Sequence, residues 1–220
     1  MTRQPVSLSP RRIDTSLMPA LAALITVATY GIAHAQANAP TAAKVCEGCH
    51  GVHGEGNAPA AIPRLAGQSA EYLRKQLEDY ASGDRANPVM RNFAKPLTHA
   101  DVEALAAYFS TASAPRTVIP SKASAGDLDF GRQLARQGSE VQRVQACDSC
   151  HGPDGIGVLH AAPYLAGQSA EYLTSALTSF QQRTRKNDPG KLMTSVAGQL
   201  NASDIAAAAA YFSSLPGNAR

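Results

Sequence analysis

Cysteine is scarce in this chain: four residues in 220, all of them in two pairs, Cys46/Cys49 and Cys147/Cys150. None is left over to staple distant segments, and a disulfide inside either pair would close a strained ring. A zinc ribbon places its two pairs roughly 15 to 20 residues apart, whereas 97 residues lie between Cys49 and Cys147, so that reading fails. A thioredoxin-like pair would need a βαβ setting, and no segment alternates with enough β-branched residues to make a strand. Charge of one sign is lacking too. Setting aside Arg3, Arg11, Arg12 and Asp14 of the leading segment leaves 17 basic against 16 acidic residues, and each half is separately balanced. The basic stripe of a nucleic-acid binder is therefore absent, and no nucleic-acid partner is expected. Methionine is scarcer still: beyond residue 35 only Met90 and Met193 remain.

What is present is a pentapeptide written twice, Cys46-Glu47-Gly48-Cys49-His50 and Cys147-Asp148-Ser149-Cys150-His151. Cys-x-x-Cys-His is the attachment signature for c-type haem, with two thioether bonds to the porphyrin and an axial histidine on the iron. Two covalently bound haem c groups are expected, held by Cys46, Cys49, Cys147 and Cys150, with His50 and His151 on the metal. The haem propionates would add negative charge that the sequence count omits.

The first 35 residues read as a targeting segment. Three arginines precede an apolar run from Leu17 to Ile32, and Ala33-His34-Ala35 has the small residues a signal peptidase accepts. A cleavable signal peptide over 1–35 and a periplasmic mature protein are expected. The alternative is an uncleaved anchor, since the run approaches the roughly 20 residues of a membrane span; loose membrane association is kept with it.

A duplication organises the remainder. Leu65-Ala66-Gly67-Gln68-Ser69-Ala70-Glu71-Tyr72-Leu73 recurs unchanged as Leu165 to Leu173, and Ala107-Tyr108-Phe109-Ser110 answers to Ala210-Tyr211-Phe212-Ser213. Such self-similarity predicts two domains, over 36–113 and 126–220, joined by a Pro- and Ser-containing linker over 114–125. Each half is small for a hydrophobic core of its own, so a buried haem would supply the missing apolar volume.

Periodicity predicts helices throughout. Ser69 caps one running to about Ser82 with Gly83 as its stop, Ser169 starts its twin, and Thr98-x-x-Asp101 and Asn201-x-x-Asp204 resemble capping boxes. Another helix is expected from Asp127 to about Gln137, with its first-half counterpart confined to Ala39–Val45. The class is all-α.

The sixth iron ligands follow from placement. Met90 and Met193 lie about forty residues after their histidines, and a thioether is the familiar partner of His in cytochromes c; core filling is the competing reading. Asn87-Pro88 and Asp188-Pro189 would hold the ligand segments away from helical geometry. His53, His99 and His160 lack the pattern of a ligand and read as solvated surface residues. Pro63 and Pro163, 13 and 12 residues after the axial histidines, offer carbonyls to the imidazole N–H, although loop stiffening by proline accounts for them equally. Gly51, Gly54 and Gly56, with Gly152, Gly155 and Gly157, would let the backbone wrap closely over a haem edge.

Taken together, the two haem motifs, Pro63-x-Leu65-Ala66-Gly67-Gln68, Pro163-x-Leu165-Ala166-Gly167-Gln168, Pro88-x-Met90 and the closing Ala-Tyr-Phe helices make the chain resemble the di-haem cytochromes c4 over nearly its whole mature length. The resemblance implies two tandem cytochrome c-like domains in a pseudo-two-fold arrangement, His/Met iron in each, and periplasmic electron transfer toward a terminal oxidase or another respiratory partner. Two departures stand out: a short segment before Cys46 in place of most of the usual first helix, and a second methionine segment, Pro189 to Met193, longer by two residues.

With both axial positions filled, an iron has no open site for substrate, which describes an electron carrier rather than an enzyme. Its expected partners are a quinol-oxidising complex or a dehydrogenase as donor and a terminal oxidase as acceptor. Arg91 and Phe93 beside Met90, against Thr194 and Val196 beside Met193, would give the haems unequal potentials. A cytochrome subunit of a periplasmic dehydrogenase complex is the alternative, and a di-haem peroxidase a remoter one.

Overall fold

The computed structural model describes residues 39–114, 123–157 and 162–217, all within one unit spanning 36–220. The signal segment, most of the expected linker and His160 lie outside the described residues. Among the described residues there is no strand, only the isolated bridges Asn57–Ile62 and Ser139–Val144.

The first half contains α1 (Ala43–His50), α2 (Ala70–Ser82), α3 (Pro88–Ala94) and α4 (His99–Thr111). The second contains α5 (Ala125–Gln137), α6 (Asp148–His151), α7 (Ala170–Gln181), α8 (Leu192–Ala197) and α9 (Ala202–Ser214). The predicted caps form. Ser69 and Ser169 accept from the backbone of Tyr72 and Tyr172, and Gly83 closes α2 in the left-handed conformation. Thr98/Asp101 and Asn201/Asp204 are reciprocal capping boxes, and Ser124/Asp127 is a third that sequence reading missed.

Two expectations require correction. The first-half helix spans not Ala39–Val45 but Ala43–His50, running through the haem motif until Gly51, whose φ is +85°. The methionines are also not on extended loops. Asn87 and Asp188 are extended, as residues before proline should be, but Pro88 is the first residue of a helix, where its missing N–H costs nothing. Asn87 caps that helix by accepting from the Met90 N–H, while Asp188 binds both the N–H and the hydroxyl of Thr194.

Equivalent residues build the two cores. Leu73 and Phe109 are buried with Leu105 and Ala43 in the first, Leu173 and Phe212 with Ala135 and Ala209 in the second, and Cys46 and Cys147 pack at their margins. A satellite of Val144, Leu200 and Ile205 adds to the second. The glycine expectation sharpens. A Cβ on Gly54 would stand 2.9 Å from the Phe109 ring, and one on Gly155 would stand 2.8 Å from Phe212. It is the aromatic ring of the closing helix that demands glycine there, together with φ near +70°. In the second half α5 crosses α9 so closely that a Cβ on Gly131 would meet the Ala207 carbonyl oxygen at 2.2 Å. Among the described residues the first half has α1, which begins three residues before Cys46.

Candidate haem sites and the interface between them

The motif spacing puts both cysteines of a pair near one side of a helical turn, with the histidine following directly. In the first half all three residues lie on α1; in the second, Cys147 caps α6 and Cys150 and His151 lie on it. None of the four cysteines forms a disulfide, so all four remain available for thioether bonds to haem. Burial raises the Cys46 pKa and pushes Cys147 up to about 11, so neither is a ready thiolate.

His50 and His151 are each about 6% exposed. Their Nδ1 atoms lie 2.9 Å from the Pro63 carbonyl oxygen and 2.8 Å from that of Pro163. Desolvation lowers both imidazole pKa values, opposed by those carbonyl bonds. A neutral ring donating from Nδ1 keeps Nε2 unprotonated, which is the state a metal-binding histidine needs. Met90 and Met193 are half-buried on α3 and in the first turn of α8, which pack against α2 and α7. The structure thus joins each histidine to its proline and leaves the methionines on separate helices. His53 and His99 are exposed, as expected.

The donor set fits haem, and so does the packing. Large buried side chains are few among the described residues, Leu105 and Leu134 at 1% exposure being the most completely covered, a small core for a chain of this length.

Sequence reading missed a buried polar network between the halves. Arg85 and Arg185 are each 9% exposed. Arg85 donates to Gln76 and, across the interface, to the Tyr172 hydroxyl; Arg185 donates across it to the Tyr72 hydroxyl and to Gln76. Their guanidinium groups also cover the rings of Tyr80 and Phe180 at 4.7 and 4.4 Å. Burial alone would raise the Tyr172 pKa, but the two arginines outweigh it and bring it down to about 8. Neither guanidinium forms an ion pair with a carboxylate among the described residues. Two buried cations with neutral partners are costly alone, and they suit a cofactor that brings carboxylates of its own. The available signal was the constant offset of 100 residues in Gln68/Gln168, Tyr72/Tyr172, Arg85/Arg185 and Asn87/Asn187.

Paired Cys-x-x-Cys-His helices, proline-bonded histidines and a duplicated helical scaffold define a c-type cytochrome with two haem domains. The cytochrome c family model matches twice, over residues 36–113 and 135–216. The chain is 40% identical over 182 residues to the thiosulfate dehydrogenase electron acceptor of Stutzerimonas stutzeri strain A1501, covering 83% of this chain and 84% of that one. Reduced recombinant cytochrome c4 from Pseudomonas stutzeri superposes with a TM-score of 0.72 at 36% identity, covering 80% of this chain and 96% of that one. Thiosulfate dehydrogenase (TsdBA) from Marichromatium purpuratum matches with a TM-score of 0.72 at 37% identity, over 78% of this chain but only 36% of that one. The chain belongs to the cytochrome c family, in its tandem di-haem cytochrome c4 branch. It carries two covalent haem c groups and transfers electrons.

Proposed function

We propose that the chain is exported, cleaved after Ala35, and works in the periplasm as a two-domain electron shuttle with no catalytic activity of its own. The domains are 36–113 and 126–220, with 114–125 as linker. Iron is held by His50 and Met90 in the first and by His151 and Met193 in the second. Bound haem supplies the Fe(III)/Fe(II) couple; the chain supplies its anchorage, its axial donors and the exclusion of other ligands. Pro63 and Pro163 fix the imidazole rings and raise their donor strength, while thioether donors favour the reduced metal over a bis-histidine arrangement.

The observation that carries this reading is the duplicated imidazole-to-proline hydrogen bond, 2.9 and 2.8 Å, beside a motif set whose only two methionines fall at matching places. Unequal methionine surroundings support unequal potentials. Arg91 is tied back to the Ser82 carbonyl and Phe93 is 44% exposed, whereas Thr194 is bound to Asp188. Near-infrared magnetic circular dichroism of oxidised protein tests the ligands: a sulfur-to-iron band of two-haem intensity is expected. A high-spin component, or ready binding of carbon monoxide or cyanide to undamaged protein, would overturn the shuttle assignment.

For the partners, a quinol-oxidising complex or dehydrogenase is the proposed donor and a terminal oxidase the proposed acceptor. The relative from Stutzerimonas stutzeri favours a second, narrower reading in which the donor is a thiosulfate-oxidising dehydrogenase. Reduction of the haems by such an enzyme with thiosulfate, at a rate exceeding that with a quinol-oxidising complex, would select it; the reverse order would reject it.

A further inference from the structure

We infer that Gln68 and Gln168 are positioning residues for the axial histidines of the opposite domain, so that the donor strength at each iron is set in part by the other half of the molecule. The inference rests on the reading of His50 and His151 as iron ligands.

The carbonyl of Pro63 and the N–H of Arg64 belong to one peptide group. The carbonyl accepts from His50 Nδ1 at 2.9 Å, and the N–H donates to Gln168 Oε1 at 2.9 Å. Gln168 Nε2 returns a hydrogen bond to the Arg64 carbonyl at 3.0 Å, so the side-chain amide pairs with this backbone as a neighbouring strand would. The second half repeats the arrangement. His151 Nδ1 donates to Pro163 at 2.8 Å, the adjoining Tyr164 N–H donates to Gln68 Oε1 at 2.9 Å, and Gln68 Nε2 donates to the Tyr164 carbonyl at 3.0 Å. Each glutamine also accepts from the N–H of the serine that follows it, which fixes its amide and begins its own domain's helix. Both are buried, at 7% and 6% exposure. Between them lies a cavity of about 20 Å³, lined by Ala66, Ala166 and the two amides, with room for no more than about one water.

Hydrogen bonds in series polarise one another, strengthening by perhaps 10–30% per bond in a low-dielectric interior. A peptide N–H that donates to glutamine makes its own carbonyl a better acceptor. The imidazole then releases more of its Nδ1 proton density and becomes a stronger donor through Nε2, which favours the oxidised metal. The glutamine of one domain therefore lowers the potential of the haem in the other. A merely structural glutamine would act on its own domain, where Ser69 or Ser169 caps the helix, or would move both haems together.

The test uses the haem-loaded full chain with Gln168→Leu and Gln68→Leu made separately. The two redox waves are followed by spectroelectrochemistry and assigned to their haems through paramagnetically shifted resonances. Gln168→Leu is expected to raise the potential of the first-domain haem and leave the second, and Gln68→Leu to do the converse. A shift confined to the substituted domain, an equal shift of both haems in each variant, or no shift would overturn the inference. A second measurement needs no substitution. In the native protein the N–H groups of Arg64 and Tyr164 should exchange with deuterium as slowly as those of helix interiors, and fast exchange of either would overturn the clamp. Should the near-infrared sulfur band be missing from native protein, the methionine assignment falls, while the amide exchange still decides the clamp.

Discussion

Gln76 occupies the centre of the domain interface, and replacing it with alanine gives a prediction that can be worked from the contacts. Its Oε1 accepts from Arg85 Nη1 at 2.8 Å, from Arg185 Nη2 at 3.1 Å and from Asn187 Nδ2 at 3.0 Å. The last two bonds cross between domains. Hydrogen bonds involving a charged group contribute about 1.5–3 kcal/mol each and neutral ones about 1. The donors keep other partners: Arg85 keeps Tyr172, Arg185 keeps Tyr72, and Asn187 keeps Asp79. The loss therefore falls below the full sum, at about 3 kcal/mol. Gln76→Glu supplies a charged acceptor facing the same two guanidinium groups and should lose much less than Gln76→Ala. Denaturant unfolding of the haem-loaded protein, read separately at each haem, measures both. Gln76→Ala should lower the midpoint and separate the two domain transitions. A loss under about 1 kcal/mol, or equal losses for the two variants, would refute the idea that this oxygen holds the halves together.

Three further outcomes are expected. Phe212→Ala removes a ring that is 3% exposed and packed on Gly155, and should cost about 3–5 kcal/mol in denaturant unfolding. Gly131→Val should destabilise the second domain by about 2 kcal/mol or more, because its Cβ would meet backbone rather than a movable side chain; thermal unfolding monitored at each haem should leave the first domain nearly unchanged. Asp101 and Asp127 have pKa values lowered below 3.8 by Thr98 and Ser124 in their capping boxes. Their contribution is present above the unfolded carboxylate value and lost as pH falls through the lower folded values, so Asp127→Asn should flatten the fall in stability below about pH 4 measured by circular dichroism.

The features legible in the sequence were those that act over a few residues or repeat. Helix caps need only a few residues, and the Ser69 cap and the Thr98 and Asn201 capping boxes formed where expected. The Ser124 cap was missed because Asp127, its N3 partner, reads equally well as a helix start. The haem motifs and their prolines could be read because local backbone geometry carries each histidine back to its proline carbonyl within 13 residues. The methionine helices were misread because proline opposes helix only before itself; as the first helical residue it is favoured. The interface was not legible by any local rule. Its bonds join residues 87 to 113 positions apart, and Gln76 is a buried acceptor for two arginines.

Duplication explains why that interface is symmetric in plan and unequal in detail. The contacts are reciprocal: Gln68 and Gln168 each pair with backbone of the opposite half, and Arg85 and Arg185 each donate to a tyrosine of the opposite half. Sequence drift then acts on each side independently. Where the first copy has Gln76 and Asp79 the second has Ala176 and Ser179, which offer no amide or carboxylate acceptor, so Asn187 finds both partners in the first domain while Asn87 caps its own helix. In the second domain α5 crosses α9 at Gly131. Two repeated halves are thus tied by a network whose central acceptor, Gln76, belongs to one of them. Differences between the two halves are thus written into the residues that the repeat no longer matches.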